Sequence, residues 1–341
     1  MSDVGSAGDA GYHFGNDPGC RKVRINGRPD SILCGGRRGV TPDALVSVQY
    51  RTMRIILTSD LHYNIARSRA PTQAIAREIC ARGGDLLIFV GDTASTDLAV
   101  LDEAFGLFES FCGMRLATAG NHELWTCGDG DSLDRHENLV AAACERSGVH
   151  YLDRSPFRAN GVAIVGNVGW YDYSFRPAAM GIPLRFYQHK VAPGAADRLA
   201  GLEHLVAERG DVPPAAWEVT SRWMDGVRVR LPMSDAGFAR RCAESLRHQL
   251  AEVHDRAETV IAAIHHLPFA ELVPPTVVPN WAFAGAFLGS EALGEVILEY
   301  PRVSHVFCGH SHRARTCRKG HVACKSIGST YRQKCYEVLD V

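Results

Sequence analysis

The chain has 341 residues, of which 46% are hydrophobic and 22% are charged, and its formal net charge is −1. These values are typical of a globular protein and exclude a disordered or fibrous chain. A charge so near zero argues against nucleic acid or an anionic membrane as a partner. No apolar run approaches the roughly 20 residues that a membrane-spanning helix needs, so we expect a protein without a membrane partner.

The cysteines and the first residues indicate a reducing compartment. The eleven cysteines are an odd number and form no CxxC pair, in a chain too long to need a disulfide framework. The opening MSDVGSAGDAGYHF lacks the basic and apolar regions of a secretory signal. We therefore expect a cytoplasmic protein.

Residues 1–52 differ in character from the rest of the chain. They are rich in glycine and show no sustained periodicity, which is typical of a flexible leader. At Met53 the β-branched apolar run MRIILTSDLHYN begins. Our hypothesis is that Met53 is the native start and that 1–52 is not native; the alternative is a genuine but dispensable tail. Mass spectrometry of the native N-terminus distinguishes the two.

After Met53, apolar strands alternate with helical segments, which predicts an α/β domain over 53–341 with sheets covered by helices. The predicted strands are 53–58, 86–90, 114–119, 162–168, 259–264, 303–308, 321–327 and 336–341. The predicted helices between the first four strands are about 71–82, 98–112 and 134–147.

Between about 170 and 256 this alternation stops. The segment carries prolines, aromatic residues and two predicted helices, about 194–209 and 236–256. In the second helix the spacing of apolar residues forms one stripe. We interpret the segment as an insertion that caps the core fold. Its aromatic groups, and others nearby, either line a substrate cleft or form the core of the cap: Trp125, Trp170-Tyr171-Asp172, Trp223-Met224-Asp225 and Trp281.

Five predicted strands end in residues that can bind a metal ion. In open α/β sheets ligands collect at the carboxyl edge of the strands, so we expect these residues to converge. The strand pleat would turn both ends of D-x-H and H-x-H to one side, and the glycines suit tight turns and close backbone approach. The five stretches are Asp60-Leu61-His62, Gly91-Asp92, Gly120-Asn121-His122-Glu123, His265-His266 and Gly309-His310-Ser311-His312.

These donor types indicate divalent metal ions. Carboxylate, amide and imidazole ligands together suit Mn²⁺, Fe²⁺ or Zn²⁺, of which we favour Mn²⁺, and the lack of thiolates argues against a structural zinc site. The set is too large for one ion. Two ions about 3.5–4 Å apart that share a bridging aspartate would use all of it.

The ordered series D-x-H, G-D, G-N-H-E, H and G-H-x-H resembles the calcineurin-like metallophosphoesterase family over about 53–341. The resemblance implies a four-layer α/β fold, a two-sheet sandwich flanked by helices, with a partly helical cap inserted and a dinuclear site at the strand ends. It implies two ligand sets that share Asp92: Asp60, His62 and His312 for one ion, and Asn121, His265 and His310 for the other.

The resemblance also implies catalytic roles beside the bridging Asp92. His122 would face the substrate as the general acid or phosphate-orienting group, and Glu123 would position His122. The pattern favours His265 over the adjacent His266 as the ligand, although only one of the two is needed.

The implied reaction is hydrolysis of a phosphate ester by in-line attack of a bridging metal-bound hydroxide, without a covalent intermediate. We expect a small-molecule phosphate monoester as substrate, because a cap over the site favours compact ligands. The alternatives are a phosphodiesterase acting on cyclic nucleotides or nucleic acid, and a non-catalytic metal-binding scaffold.

Two differences from known subtypes of the family limit which activity we expect. Ser95 stands where purple acid phosphatases place a tyrosine, which argues against an iron–tyrosinate site. Glu123 stands where the protein Ser/Thr phosphatases carry aspartate, and the insertion is foreign to them, which argues against a protein phosphatase.

Overall fold

The computed structural model describes residues 52–128 and 130–341. The interpretation of a leader, and of Met53 as the native start, depends on residues 1–51, which lie outside this described part. No helix among the described residues is both long enough and apolar enough to cross a bilayer.

The described strands form two mixed sheets. They are β1 (Arg54–Thr58), β2 (Leu86–Val90), β3 (Met114–Thr118), β4 (His150–Tyr151), β5 (Phe157–Ala159), β6 (Val162–Asn167), β7 (Thr259–Ile264), β8 (Val303–Cys308), β9 (Arg315–Lys319), β10 (Val322–Ser326) and β11 (Tyr336–Asp340). The first sheet has the order β11-β1-β2-β3-β4 and the second β5-β6-β7-β8-β10-β9. Strands β1 to β4 are parallel, as are β6, β7, β8 and β10, while β11, β5 and β9 pair antiparallel at the edges.

Helices and short turns connect the strands. The α-helices are α1 (Ala66–Arg82), α2 (Leu98–Gly106), α3 (Asn121–Leu124), α4 (Ser132–Asp134), α5 (Val140–Arg146), α6 (Leu184–Gln188), α7 (Pro193–Ala196), α8 (Asp225–Arg228), α9 (Asp235–Val253), α10 (Pro279–Ala284) and α11 (Glu291–Leu298). A π-helical turn, Arg135–Leu139, joins α4 to α5, and the 3-10 turns are Ala178–Met180, Glu203–Leu205, Pro214–Glu218, His254–Arg256, Ala270–Leu272 and Gly285–Phe287.

The alternation of side chains along β1 places the sheet between two apolar layers. Ile55 and Leu57 belong to the buried cluster that includes Ile261 of β7, in the second sheet. Ile56, between them, belongs to the cluster that includes Ile79 of α1. Because successive side chains of a strand point to opposite faces, one face of this sheet packs on the other sheet and one on helices. The predicted α/β fold with two sheets flanked by helices is confirmed.

The two longest helix predictions outside the core strands had different outcomes. The helix predicted at 236–256 is confirmed as α9, Asp235–Val253, and its apolar stripe is buried. The helix predicted at 194–209 is wrong. Only Pro193–Ala196 is α-helical there, and Gly201 has a φ of 85°, which a right-handed helix does not contain.

One core helix begins earlier than predicted. Helix α1 begins at Ala66 and contains Pro71 in its interior, whereas the sequence suggested a start at the proline itself. A proline in a helix removes one backbone hydrogen bond. Burial of Ile75, Ala76 and Ile79 against the first sheet favours the helix in spite of that loss.

Candidate metal centre

The carboxyl ends of five parallel strands, three from the first sheet and two from the second, bring the predicted ligands together. Asp92 contributes to both of the groups in which ligand atoms lie within 4.8 Å of one another. The first group is Asp60, His62, Asp92 and His312, and the second is Asp92, His265 and His310.

Asp92 is the centre of this arrangement. Its Oδ2 lies 3.5 Å from Nε2 of His62 and 3.4 Å from Nε2 of His265. Its Oδ1 accepts a hydrogen bond of 3.0 Å from the backbone N–H of His122. One carboxylate oxygen is thus held by the backbone, and the other faces a ligand from each group.

Several buried polar atoms of these residues fit a cation better than a hydrogen bond. The Nε2 atoms of His62 and His312 face each other at 3.2 Å. Buried side-chain atoms normally have hydrogen-bond partners. Within the described part of the chain, Asp92 Oδ2, Asn121 Oδ1 and His265 Nε2 have none. Acceptor atoms that converge without donors are what a divalent ion requires, so the residues present fit two such ions.

The backbone at these ligands is left-handed. Strands β1 and β8 end at Thr58 and Cys308, before the D-x-H and H-x-H triplets begin. The explanation by strand pleat is therefore wrong: the two side chains of each triplet are aimed by a repeated positive φ, a conformation that costs free energy in residues other than glycine. The φ angles are 53° at Asp60, 43° at His62, 53° at Asp92, 66° at His310 and 54° at His312.

Two glycines allow the strand ends to approach one another. At Gly91, with φ of 76°, a side chain would collide with the ring of His265. At Gly120 a side chain would collide with the carboxylate of Asp92. The expectation that these glycines permit close backbone approach agrees with these contacts.

Glu123 fixes the backbone of two ligand loops. Its Oε2 accepts from the N–H groups of Asp92, at 2.9 Å, and Gly120, at 2.7 Å, and its Oε1 accepts from Ala94 at 2.7 Å. The carboxylate acts on these backbone groups rather than on the imidazole of His122 that the resemblance assigns to it.

Arg135, in the π-helical turn, ties the same two loops together and was not singled out in the sequence. Its Nε donates to the carbonyl of Glu123 at 2.5 Å, and its Nη2 donates to the carbonyls of Ser95 and Thr96 at 2.9 and 2.6 Å. The guanidinium is buried, and burial lowers its pKa despite the nearby Glu123. No local pattern in the sequence marks an arginine that binds only backbone carbonyls.

The ring of His122 lies between those of His62, a predicted ligand, and Trp125. Its ring contacts His62 edge to face, with centroids 4.5 Å apart, and stacks on Trp125 at 3.8 Å. Its Nε2 lies 3.9 Å from Asp92 Oδ2, and 13% of the side chain is exposed. The position suits a group that meets a ligand entering the site from solvent.

The adjacent residues His265 and His266 have different surroundings. His265 is in the second ligand group, and its Nδ1 contacts the carbonyl of Val90 at 2.9 Å. His266 instead turns its Nδ1 to the carbonyl of Val168 at 2.8 Å and packs its ring 5.0 Å from that of Trp170. Nε2 of His266 is, like that of His265, buried without a hydrogen-bond partner among the described residues. The choice of His265 as the ligand agrees with the converging group but stays a prediction.

The family model for calcineurin-like phosphoesterases matches residues 53–314. The chain belongs to the calcineurin-like phosphoesterase family. This agrees with the resemblance carried by the five motifs, all of which fall inside the match.

Solved structures resemble the chain at low identity. A phosphopantetheinyl hydrolase from Mycobacterium tuberculosis is 19% identical with a TM-score of 0.57, over 81% of this chain and 89% of that one. At this identity the likeness concerns the fold alone. A dimetal phosphatase from Danio rerio is 13% identical with a TM-score of 0.47, over 85% of this chain and 92% of that one. No curated protein sequence matches the chain.

Asp92 and the histidines around it shift one another's pKa values. Burial raises the pKa of Asp92, but His265, His122 and His62 outweigh burial and hold it well below its usual value. Burial lowers the pKa of His265, but Asp92 outweighs it and raises the value to about 9. The carboxylate thus attracts positive charge to this point, which a bound cation would supply in place of the proton.

Burial shifts the pKa of four other histidines at this site toward the neutral form. Burial lowers the pKa of His62 and His310 well below its ordinary value, and the neighbouring imidazoles lower it further. Burial also lowers the pKa of His312. For His266, burial and then His265 lower the pKa to about 3. Neutral imidazole is the form that coordinates metal.

Two groups from distant parts of the chain complete the surroundings. Lys334 was not singled out in the sequence, and Asp225 was named only within Trp223-Met224-Asp225, as lining of a cleft or core of the cap. The buried ammonium of Lys334 donates to the carbonyl of Asp60 at 2.6 Å, and burial lowers its pKa to about 7. Asp225, in the segment 170–256, accepts from Nδ2 of Asn121 at 2.9 Å. Neither is marked by a local motif, because each depends on contacts made only after the chain folds.

The aromatic groups of the sequence divide between core and site. Trp170 and Tyr171 are fully buried. Trp125 stacks on His122, and Trp223 lies with its ring 5.7 Å from His310. Trp281 lies in α10. Trp223 therefore borders a predicted ligand, and Trp125 borders His122.

Proposed function

We propose that the chain is a dinuclear metal-dependent phosphoesterase that hydrolyses a small-molecule phosphate monoester. The observation that carries the proposal is the position of Asp92, whose unpartnered Oδ2 faces a histidine from each of two ligand groups. One ion would be held by Asp60, His62 and His312 and the other by Asn121, His265 and His310, with Asp92 between them. When bound, such ions polarise a phosphoryl oxygen and lower the pKa of water.

His122 acts as the general acid in this proposal. Its ring stacks on Trp125, which limits its movement, and its Nε2 points into the site beside Asp92. A group so placed can donate a proton to the leaving oxygen or orient the phosphoryl group. Its partial exposure lets it meet a substrate that arrives from solvent.

The low exposure of the site supports a compact phosphoryl group as the ligand. The side chains of Asp60, His62 and His265 are fully buried, whereas those of His122 and His312 keep 13% and 15% exposure. A phosphate carried on a small molecule can reach the exposed edges of these two rings, and such limited access favours a small ligand over a polymer.

The experiment combines metal analysis with turnover on one preparation of the full chain. The purified protein is loaded with Mn²⁺, its metal content is measured by inductively coupled plasma mass spectrometry, and it is assayed with p-nitrophenyl phosphate and bis(p-nitrophenyl) phosphate. Because the M. tuberculosis protein is named for a phosphopantetheinyl group, a phosphopantetheinyl ester joins a wider substrate panel without any assignment to this chain.

Two ions per chain with turnover of the monoester support the proposal. Two ions with turnover of the diester only would overturn the substrate class and favour the phosphodiesterase. No metal and no turnover after addition of Mn²⁺ would overturn the enzyme assignment and favour a scaffold.

A further inference from the structure

Asp225 is a buried carboxylate surrounded by four side-chain donors. It belongs to the segment 170–256, begins the short helix α8 and is 1% exposed. Its Oδ1 accepts from Asn121 Nδ2 at 2.9 Å and from Trp125 Nε1 at 2.7 Å. Its Oδ2 accepts from Trp223 Nε1 at 2.8 Å and from the hydroxyl of Tyr171 at 3.1 Å.

The contact with Asn121 decides which end of the amide faces the metal centre. An amide can be turned so that either its oxygen or its nitrogen points in a given direction. Nδ2 of Asn121 donates to Oδ1 of Asp225 over 2.9 Å, which leaves the Oδ1 end of the amide directed away from Asp225. That oxygen is buried and has no hydrogen-bond partner within the described part of the chain.

The contact with Trp125 extends the same control to His122. The indole N–H shares the Oδ1 atom of Asp225 with Asn121. The indole ring stacks on the imidazole of His122 with an interplanar angle of 23°. Oδ1 of Asp225 therefore binds both Asn121, a predicted ligand, and Trp125, on which the proposed general acid His122 stacks.

We infer that Asp225 is a positioning residue of the metal centre, which holds the amide oxygen of Asn121 toward the second ion and the indole of Trp125 against His122. The inference rests on the proposed function. It makes the segment 170–256 a working part of the site, because Asp225 accepts the one hydrogen bond that the side chain of Asn121 makes among the described residues. Partners that orient a metal ligand typically contribute about 10–100-fold to metal affinity or activity.

Asp235 supplies a matched control in the same segment. It accepts from the indole of Trp170 at 2.9 Å, from the hydroxyl of Tyr173 and from Lys190 at 2.6 Å. Its partners thus include the same kinds of donor as those of Asp225, but no residue of the two ligand groups. Asp235→Ala removes a comparable network without touching the centre.

The test compares Mn²⁺ binding by the full-length wild type, Asp225→Ala and Asp235→Ala. Isothermal titration gives the affinities of the two ions, and electron paramagnetic resonance distinguishes an exchange-coupled Mn²⁺ pair from isolated Mn²⁺. We expect Asp225→Ala to weaken the second ion about 10–100-fold, with the first ion retained and the coupled signal replaced by that of isolated Mn²⁺. Asp235→Ala should keep both ions and the coupled signal.

A second pair of variants keeps the inference testable if Asp225→Ala does not fold. Asn121→Asp alone sets two carboxylates against each other. Adding Asp225→Asn restores a donor to this pair in reversed order, while it removes the acceptor of Trp125 Nε1. We expect the double variant to bind the second ion at least about 10-fold more tightly than Asn121→Asp alone, as expected for coupled partners.

The outcomes separate this inference from the proposed function. Unchanged binding of both ions by folded Asp225→Ala, or equal affinities in Asn121→Asp and the double variant, would overturn the inference while leaving the phosphoesterase intact. Two ions in the wild type without any ester turnover would overturn the proposed function while leaving the positioning role. A wild type that binds no Mn²⁺ would overturn both.

Discussion

The backbone N–H of His122 donates to Oδ1 of Asp92 over 3.0 Å, so this contact fixes the direction of the other carboxylate oxygen. Asp92→Asn keeps an oxygen for that hydrogen bond but places an NH₂ group toward His62 and His265. Because an amide nitrogen does not coordinate a cation, we expect this variant to lose both ions and all turnover. Elemental analysis after Mn²⁺ loading measures the loss.

The control for this prediction is Asp102→Asn, which alters an exposed carboxylate paired with Arg146. It should bind the same number of ions as the wild type. A full complement of two ions in Asp92→Asn would show that Asp92 does not bridge.

Replacement of His122 separates chemistry from metal binding. His122→Ala removes the proposed general acid, and we expect kcat to fall by about 10²–10⁴-fold, the usual range for loss of such a group. Metal content should stay at the wild-type value, since the ring is not in either ligand group. Steady-state kinetics and elemental analysis on one preparation give both quantities. Loss of an ion would instead identify His122 as a ligand.

The carboxylate of Glu123 is expected to matter more for the shape of the site than for its charge. In Glu123→Gln one oxygen must replace two that together accept three backbone N–H groups. At least one buried donor then faces an NH₂ group, which costs about 1–3 kcal/mol. Urea denaturation of the metal-free protein should show this loss of unfolding free energy.

A surface carboxylate provides the comparison for that measurement. Glu299 pairs with Arg247 and is half exposed, so Glu299→Gln should change the unfolding free energy by less than about 1 kcal/mol. Equal effects of the two substitutions would contradict the role given to Glu123.

Arg135 is expected to be irreplaceable by lysine. The guanidinium donates in two directions at once, to the carbonyl of Glu123 and to those of Ser95 and Thr96. A lysine ammonium cannot reproduce this planar geometry, and each buried carbonyl left without a donor costs about 1–3 kcal/mol. Arg135→Lys should therefore lower the unfolding free energy, measured by urea denaturation, and weaken Mn²⁺ binding.

Arg146→Lys, at an exposed ion pair with Asp102, is the matched substitution and should leave both quantities nearly unchanged. Wild-type stability in Arg135→Lys would mean that the two loops are held by other contacts.

The sequence was most informative where chemistry coincides with strand ends. Apolar runs located β7 and β8 at their observed bounds, and the residues that follow them converge in space. This works because the carboxyl ends of parallel strands meet at one edge. What the runs could not indicate is the left-handed backbone beyond β1, β2 and β8, at Asp60, Asp92 and His310 among others.

Long-range hydrogen bonds could not be predicted from the sequence, for a related reason. Asp225 lies 104 residues from Asn121 in the chain, and Lys334 lies 274 residues from Asp60. Each of these side chains is an ordinary polar residue in its local sequence. Their roles depend on how an irregular segment and a C-terminal connection fold over the strand ends, and no periodic pattern specifies that.

The positive φ angles at the proposed ligands lower the stability of the fold at positions whose side chains are needed to bind the ions. Glycine adopts this backbone region readily, whereas aspartate and histidine in it cost on the order of 1–3 kcal/mol each. Replacing His312 by glycine would relieve that strain in the metal-free fold while deleting a proposed ligand. At Asp60 the same change would also remove the acceptor of the His310 backbone N–H. The proposed ligand role, and not the stability of the metal-free fold, therefore accounts for a histidine in this conformation at position 312.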